Sequence, residues 1–239
     1  MKAVILAGGE GKRLKPLTLD VPKPLLPIGR KPILEIIIEH LRDHGIKDII
    51  LTLEYKAELI KAYFHNGSNL GVNIIYYQEG KFTGTAGPVK AVEHLLGEVP
   101  FITMNGDLLT DINLTEMYQE HLENSAELTM ATTTYKIKLP YGIIDLEDGK
   151  ISALREKPEL AFLANAGIYV VSPSALDVAP KGEFYNMTDL IQALVDQNRK
   201  VKLFHIVGEW QDLGTMESYK KAEAEYLDKT ESFSLSPIS

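Results

Sequence analysis

Four side chains are placed for phosphate chemistry: Arg13, Lys23, Asp107 and Asp212. Arg13 follows Gly8-Gly9-Glu10-Gly11-Lys12, a turn with three glycines in four positions. Such a turn lets the backbone come close to a ligand and aim peptide N–H groups at an anion. Lys23 lies between Pro22 and Pro24, whose fixed φ angles stiffen the backbone that carries it. Asp107 follows Asn105-Gly106 at the end of an apolar run, and Asp212 sits in Trp210-Gln211-Asp212-Leu213-Gly214. Carboxylates beside a phosphate loop suit Mg²⁺, which takes oxygen ligands and bridges substrate phosphates. Taken singly, Asp107 reads equally well as a turn or N-cap aspartate, Asp212 as an ordinary acid before a helix, and Lys23 as an exposed loop lysine.

A second group follows. Arg155-Glu156-Lys157-Pro158 closes a strand, and Asn165-Ala166-Gly167 comes soon after. Glu156 can accept hydrogen bonds from sugar hydroxyls and Lys157 can pair with a phosphate. Asn165 offers a donor and an acceptor to a polyol, and Gly167 allows close approach. Alone, the charged group would read as a solvated cluster before a proline.

Two familiar phosphate motifs are excluded. Leu14 stands where a dinucleotide fingerprint needs its third glycine, and Gly11-Lys12 is followed by Arg13, with no glycine five positions before Gly11. Gly-x-Ser-x-Gly is missing, so no nucleophile stands out. Among six histidines, only His40 and His44 have helical metal-pair spacing, and they read as a surface pair.

These residues need elements to position them. Ala3 to Ala7 reads as a strand buried on both faces and ending at Gly8. Pro16 to Gly29 is expected to be an ordered, extended loop. Helices are predicted over 32–44, 56–65 and 89–96, and strands over 46–53, 72–77 and 101–104. That alternation implies a mainly parallel sheet with right-handed crossovers. Ligands bind at the carboxyl ends of such strands. The glycine turn, the Glu79 to Gly87 loop and Asp107 therefore share one edge. After a helix over 114–123 the pattern turns partly antiparallel: strands over 128–135, 142–146, 150–155 and 164–171, with Asp148-Gly149 as a hairpin turn. A helix over 186–198, a strand over 201–207 and a helix over 215–227 complete the reading.

The 239 residues, 24% charged and 45% hydrophobic, fit one large α/β domain. It is expected over 1–227, with a mainly parallel half (1–125), a partly antiparallel half (126–227) and a flexible tail at 228–239. A net charge of −8 argues against broad nucleic-acid binding. There are no cysteines, hence no disulfides or thiolate metal sites. No apolar run approaches a membrane span and the start lacks a signal-peptide layout, so a cytoplasmic location is expected.

Together, in order from Met1 to about Ala222, these motifs resemble the sugar-1-phosphate nucleotidyltransferases (NDP-sugar pyrophosphorylases). The resemblance rests on Gly8 to Leu14 with Pro16-Leu17-Thr18, Pro22-Lys23-Pro24, Gly84-Thr85-Ala86-Gly87, Asn105-Gly106-Asp107, Glu156-Lys157-Pro158, Asn165-Ala166-Gly167 and Trp210 to Gly214. Lys12 stands where that family often has a small residue. The resemblance implies a Rossmann-like α/β fold with a partly antiparallel sugar-binding half. It also implies the reaction of an NTP with a sugar 1-phosphate to give an NDP-sugar and pyrophosphate.

Carried over, Leu6, Ala7, Gly8, Gly9, Gly11, Lys12, Glu79, Gly84, Thr85 and Asn105 bind nucleotide. Arg13 and Lys23 neutralise the triphosphate, and Asp107 and Asp212 hold Mg²⁺. Lys157 takes the sugar phosphate, while Gly142, Glu156, Asn165 and Gly167 take the sugar. Glu79 lies where the family reads the base edge. A carboxylate there accepts two hydrogen bonds from guanine but meets only one N–H on uracil or thymine, which favours GTP. Gly84 to Pro88 and the C-terminal half also resemble the short mannose, heptose or amino-sugar 1-phosphate guanylyltransferases. A dTTP- or UTP-dependent glucose-1-phosphate enzyme is the alternative. A cytidylyltransferase and a non-catalytic nucleotide-sugar sensor are the remaining rivals. A homodimer is expected by likeness to the family. The family's C-terminal β-helix for acyl transfer is not expected in a chain of this length.

Overall fold

The computed structural model describes residues 1–78 and 80–234. In chain order the strands and helices begin β1 (Lys2–Leu6), β2 (Pro27–Ile28), β3 (Lys31–Pro32), α1 (Ile33–Asp43), β4 (Asp48–Leu53), α2 (Ala57–Phe64), β5 (Asn73–Gln78), α3 (Gly87–Ala91), α4 (Glu93–Leu96) and β6 (Phe101–Asn105). They continue with β7 (Leu108–Thr110), α5 (Leu114–Glu123), β8 (Leu128–Lys138), β9 (Ile143–Glu147), β10 (Lys150–Arg155), β11 (Glu159–Val171), α6 (Met187–Asp196), β12 (Val201–His205), β13 (Trp210–Asp212) and α7 (Met216–Ser234).

The main sheet has the order β12-β8-β11-β6-β1-β4-β5. Strand β1 pairs in parallel with β4 and β6, and β4 with β5. Only β11 runs against its neighbours, antiparallel to β6 and β8. The result is a mixed, mainly parallel sheet flanked by helices. The chain moves outward from β1 through β4 to β5, then returns to place β6 on the other side of β1. That reversal leaves a crevice at the carboxyl ends of β1 and β6, the usual ligand position in open α/β sheets.

Alternation along β1 divides the core. Ala3 and Ile5 join the cluster beneath α1, α2, α5 and α7, while Val4 joins the one beneath α3, α4 and α6. Helix α1 exists because Ile33, Leu34, Ile37, Ile38 and Leu41 recur at helical spacing, and all five are buried. Each burial is worth about 2 kcal/mol. The helix stops at Gly45, whose φ of +78° suits glycine; its N–H donates to Arg42 O and that of Ile46 to Leu41 O. An Asn186–Asp189 capping box starts α6.

Several expectations change. The proline-rich stretch is not extended: Lys23–Leu25 forms a 3₁₀ turn, and β2 and β3 form a small hairpin. The helix expected over 89–96 is broken at Val92 into α3 and α4. His40 and His44 are half-buried rather than on the surface. Their rings meet edge-on at 4.5 Å, His40 Nε2 lies 3.0 Å from Ile112 O, and burial lowers the His40 pKa. Helix α7 runs to Ser234, past the expected end at Leu227, so residues 228–234 continue it; 235–239 lie outside the described residues. No helix among the described residues is long and apolar enough to cross a membrane.

Candidate active site

The crevice is a cleft of about 630 Å³. One wall is the loop leaving β1, from Ala7 to Arg13. Ala7 N–H donates to Thr52 O on β4, and Tyr55 N–H donates to Gly8 O. Gly11 has a φ of +62°, and a Cβ there would lie 2.9 Å from Thr18 Cγ2 and 3.1 Å from Lys23 Cβ. Glycine is therefore required both for the turn and for its packing. Thr18 Oγ1 donates to Gly11 O, closing the loop onto the proline-rich segment. The segment after Gly11 is a three-residue 3₁₀ turn, so the donors this loop could offer an anion are its N–H groups and the side chains of Lys12 and Arg13.

The 3₁₀ turn at Lys23–Leu25 aims Lys23 inward. Lys23 is 7% exposed, and its ammonium forms an ion pair with Asp107 Oδ2. Asp107 is held beside the glycine loop because Gly106 N–H donates to Leu6 O at 2.9 Å. A Cβ at Gly106 would be 2.9 Å from that same oxygen.

Asp212 comes from the far end of the sequence and lies beside the cleft near Gly214, outside its lining. Strand β13 pairs antiparallel with β7, placing Asp212 opposite Leu108, and Leu213 N–H donates to Asp107 O. Asp107, just before β7, and Asp212, at the end of β13, thus sit at the same end of one small ribbon. A Cβ on Gly214 would lie 2.8 Å from Arg13 Nη2 and 2.9 Å from Asp212 Oδ1, so both charged groups converge on bare backbone. A pair of carboxylates with hard oxygen donors is a fitting partner set for Mg²⁺.

The opposite wall is the Gly84 to Gly87 loop. Gly84 has a φ of +84°, and a Cβ there would meet Tyr185 O at 2.5 Å. Ala86 and Gly87 N–H both donate to that carbonyl, and Met187 N–H donates to Thr85 Oγ1. Of the expected nucleotide-binding residues, Leu6, Ala7, Gly8, Gly9, Gly11, Lys12, Arg13, Lys23, Gly84, Thr85, Asn105 and Asp107 all line the cleft. Glu79 lies outside the described residues.

The expected sugar residues fall into two sets: Gly142, Glu156 and Lys157 beyond the far end of the β8–β11 ladder, and Asn165 and Gly167 within β11. Gly142 lies under the Glu156 carboxylate, where a Cβ would be 2.9 Å from Oε2. Lys157 Nζ is 3.9 Å from Glu156 Oε1, and both side chains are exposed. Asn165, Ala166 and Gly167 form a bulge in β11, where the register with β8 slips. Asn165 Oδ1 accepts from Gly167 N–H, Asn165 Nδ2 donates to Tyr169 OH, and Trp210 Nε1 donates to Ala166 O. A Cβ at Gly167 would be 2.6 Å from Asn105 Nδ2, so the bulge touches the cleft through Asn105. Gly142, Glu156, Lys157, Asn165 and Gly167 do not themselves line the cleft.

Thr52, Glu54 and Phe82 also line it and were not singled out from the sequence. Glu54 had a usable signal: it follows the second long strand at the ligand-binding edge. Phe82 had none, being one apolar residue in a polar loop.

The chain matches the family described as nucleotidyl transferase over residues 2–229. It is 36% identical over 241 residues to a UTP–glucose-1-phosphate uridylyltransferase from Synechocystis sp., covering 93% of this chain and 62% of that protein. It is 34% identical over 243 residues to a mannose-1-phosphate guanyltransferase from Yarrowia lipolytica, covering 95% and 64%. The chain thus spans less than two thirds of the length of these relatives. Among solved structures, HddC from Yersinia pseudotuberculosis, complexed with GMP-PN, superposes with a TM-score of 0.74 at 26% identity, covering 94% of this chain and 99% of that one. A match that begins in β1 and ends in α7 takes in both walls of the cleft, and the chain belongs to the nucleotidyl transferase family.

Proposed function

We propose that this protein transfers a nucleotidyl group from an NTP, with GTP preferred, to a sugar 1-phosphate of the mannose, heptose or hexosamine type, releasing pyrophosphate. The observation that carries this reading is the buried Lys23 ammonium on the Asp107 carboxylate, at the foot of a glycine loop that also presents Arg13.

The residues divide the work. Backbone N–H groups of Gly8 to Gly11 hold the triphosphate, and Arg13 and Lys23 neutralise the charge that develops on the departing pyrophosphate. Lys157 draws in the sugar phosphate, and Glu156 and Asn165 orient the sugar. A phosphate oxygen of the sugar then attacks the α-phosphorus in line. The bond from that phosphorus to the bridging oxygen breaks, and pyrophosphate leaves with the electron pair. Positioning and charge neutralisation suffice for this reaction, and no covalent enzyme intermediate is needed. Asp107 and Asp212 would hold Mg²⁺, which supplies further neutralisation of phosphate charge when bound.

The preference for GTP rests on Glu79, whose carboxylate can accept from both N1–H and the 2-amino group of guanine. The guanylyltransferase names among the relatives and the GMP-PN complex of the Yersinia neighbour support it. The second reading, a UTP- or dTTP-dependent glucose-1-phosphate enzyme, is favoured by the name of the Synechocystis relative. Pyrophosphate release with Mg²⁺, from GTP, dTTP, UTP, CTP and ATP against mannose, glucose, glucosamine and heptose 1-phosphates, separates the two. One strong GTP row is expected; a strong UTP or dTTP row with GTP silent replaces the base assignment.

A further inference from the structure

Glu54 is a carboxylate in the cleft that no step of the proposed transfer uses. It directly follows β4, which pairs in parallel with β1, Leu6 opposite Thr52. Side chains alternate here: Leu51 and Leu53 enter the core beneath α1 and α2, while Thr52 and Glu54 both line the cleft. Two hydrogen bonds brace this stretch against the glycine loop. Ala7 N–H donates to Thr52 O before Glu54, and Tyr55 N–H donates to Gly8 O after it. The next residues are tied on their other side to the proline-rich loop, Tyr55 OH donating to Thr18 O and Lys56 Nζ to Leu19 O. The backbone that carries Glu54 is therefore fixed beside the loop proposed to hold the phosphates.

The carboxylate itself is left over. It is partly buried, and among the described residues it forms no ion pair and accepts no hydrogen bond. The nearby lysines are engaged elsewhere, Lys12 with Glu10 and Lys23 with Asp107. An ionised carboxylate is an acceptor only, and phosphate oxygens repel it. In a nucleotide cleft its partners are the nucleotide's donors, the ribose hydroxyls and the N–H groups of the base. The ribose is the part joined to the α-phosphate, so its hydroxyls come nearest to the glycine loop, and the base extends further, towards the wall of Phe82, Gly84 and Thr85. Dinucleotide-binding sheets place an acid after the strand next to the first one, where it accepts from a ribose hydroxyl. Their glycine fingerprint is missing here, but Glu54 holds the equivalent place, one strand over from the glycine loop.

We propose that the Glu54 carboxylate accepts a hydrogen bond from the ribose 2′-hydroxyl and so selects ribonucleotides over 2′-deoxyribonucleotides. This role rests on the reading of the cleft as a nucleotide site. It bears on the choice between bases as well, because GTP and UTP pass the selection and dTTP does not.

Calorimetric titration of the full chain, without sugar phosphate, with GTP, 2′-deoxy-GTP, UTP and 2′-deoxy-UTP tests it. For whichever base binds, the wild type is expected to hold the ribonucleotide roughly tenfold or more tightly than the deoxy form, the worth of one hydrogen bond to a charged group. Glu54→Ala should bring that ratio to within about threefold of unity, and Glu54→Gln, which keeps one acceptor and the same shape, to a value between the two. If the alanine variant does not fold, as read by circular dichroism, the glutamine variant carries the comparison. Equal binding of the two sugars by the wild type, or a folded variant with the wild-type ratio, overturns the proposal. So does a variant that changes the ratio of GTP to ITP, which lacks the 2-amino group, and leaves the ratio of GTP to 2′-deoxy-GTP alone. A nucleotide that binds but is never transferred removes the proposed function and leaves the sugar ratio to decide this one; no binding of any nucleotide overturns both.

Discussion

The ammonium of Lys23 rests on the carboxylate of Asp107, 84 residues further along the chain, and joins the proline-rich loop to the end of β6. Because Lys23 is almost fully buried and Asp107 is partly open to the cleft, the two sides of the pair respond differently to loss. Asp107→Ala leaves a buried ammonium without its anion and should cost about 1–3 kcal/mol of stability. Lys23→Ala frees a carboxylate that water reaches and should cost less. Both should lower kcat, by roughly a hundred- to a thousandfold. Urea titration alongside steady-state kinetics checks this; equal stability losses, or activity within a few-fold of wild type, would count against the pair as the working centre.

Gly214 tests the neighbouring contact. A methyl group there meets Arg13 Nη2 and Asp212 Oδ1, and the flexible guanidinium is the group that yields. Gly214→Ala should therefore fold normally while kcat falls about tenfold, the result of a small displacement at a site that works by positioning. An unchanged kcat would show that Arg13 does not act from this place.

Much of this site was legible in the sequence because its signals are local. The run Ala3 to Ala7 and the glycines after it fix a buried strand and a loop at its carboxyl end, and Asn105-Gly106-Asp107 repeats the arrangement one strand away. The link between Asp107 and Asp212 was not legible. It depends on two three-residue strands, β7 and β13, too short to show a period and about a hundred residues apart. The β11 bulge was equally hidden: Asn165-Ala166-Gly167 reads as polar and flexible, yet its contacts to Tyr169, Trp210 and Asn105 exist only after folding. The proline-rich segment misled because fixed φ angles suit a 3₁₀ turn as well as an extended chain.

The proposed reader of the base is Glu79. Glu79→Gln replaces a double acceptor with an amide that matches a pyrimidine edge. The ratio of kcat/KM for GTP over UTP should fall roughly tenfold or more, the worth of one lost hydrogen bond to a charged group. Unchanged selectivity would show that another residue reads the base.

His121 gives a pH test away from the cleft. It is 1% exposed, between Thr129 Oγ1 at 2.9 Å and Ser172 Oγ at 3.0 Å, and burial pushes its pKa down to about 4. The unfolded chain takes up that proton near pH 6.5 and the folded chain near 4, so the unfolded state binds more protons between them. Stability should fall as pH drops through this window, by on the order of 3 kcal/mol from this group. The stability advantage of wild type over His121→Gln, measured in urea at several pH values, should shrink from pH 7 to 4. A constant difference would mean that His121 keeps its ordinary pKa.

The proposed transfer makes and breaks bonds at the α-phosphorus, and a label placed there follows it. GTP labelled at the α-phosphate is incubated with the protein, Mg²⁺ and the sugar 1-phosphates, and the products are separated. Label is expected in a nucleotide sugar, with unlabelled pyrophosphate and no labelled protein. Label in free GMP or GDP, label bound to the protein, or untouched substrate with every nucleotide and sugar phosphate would contradict it.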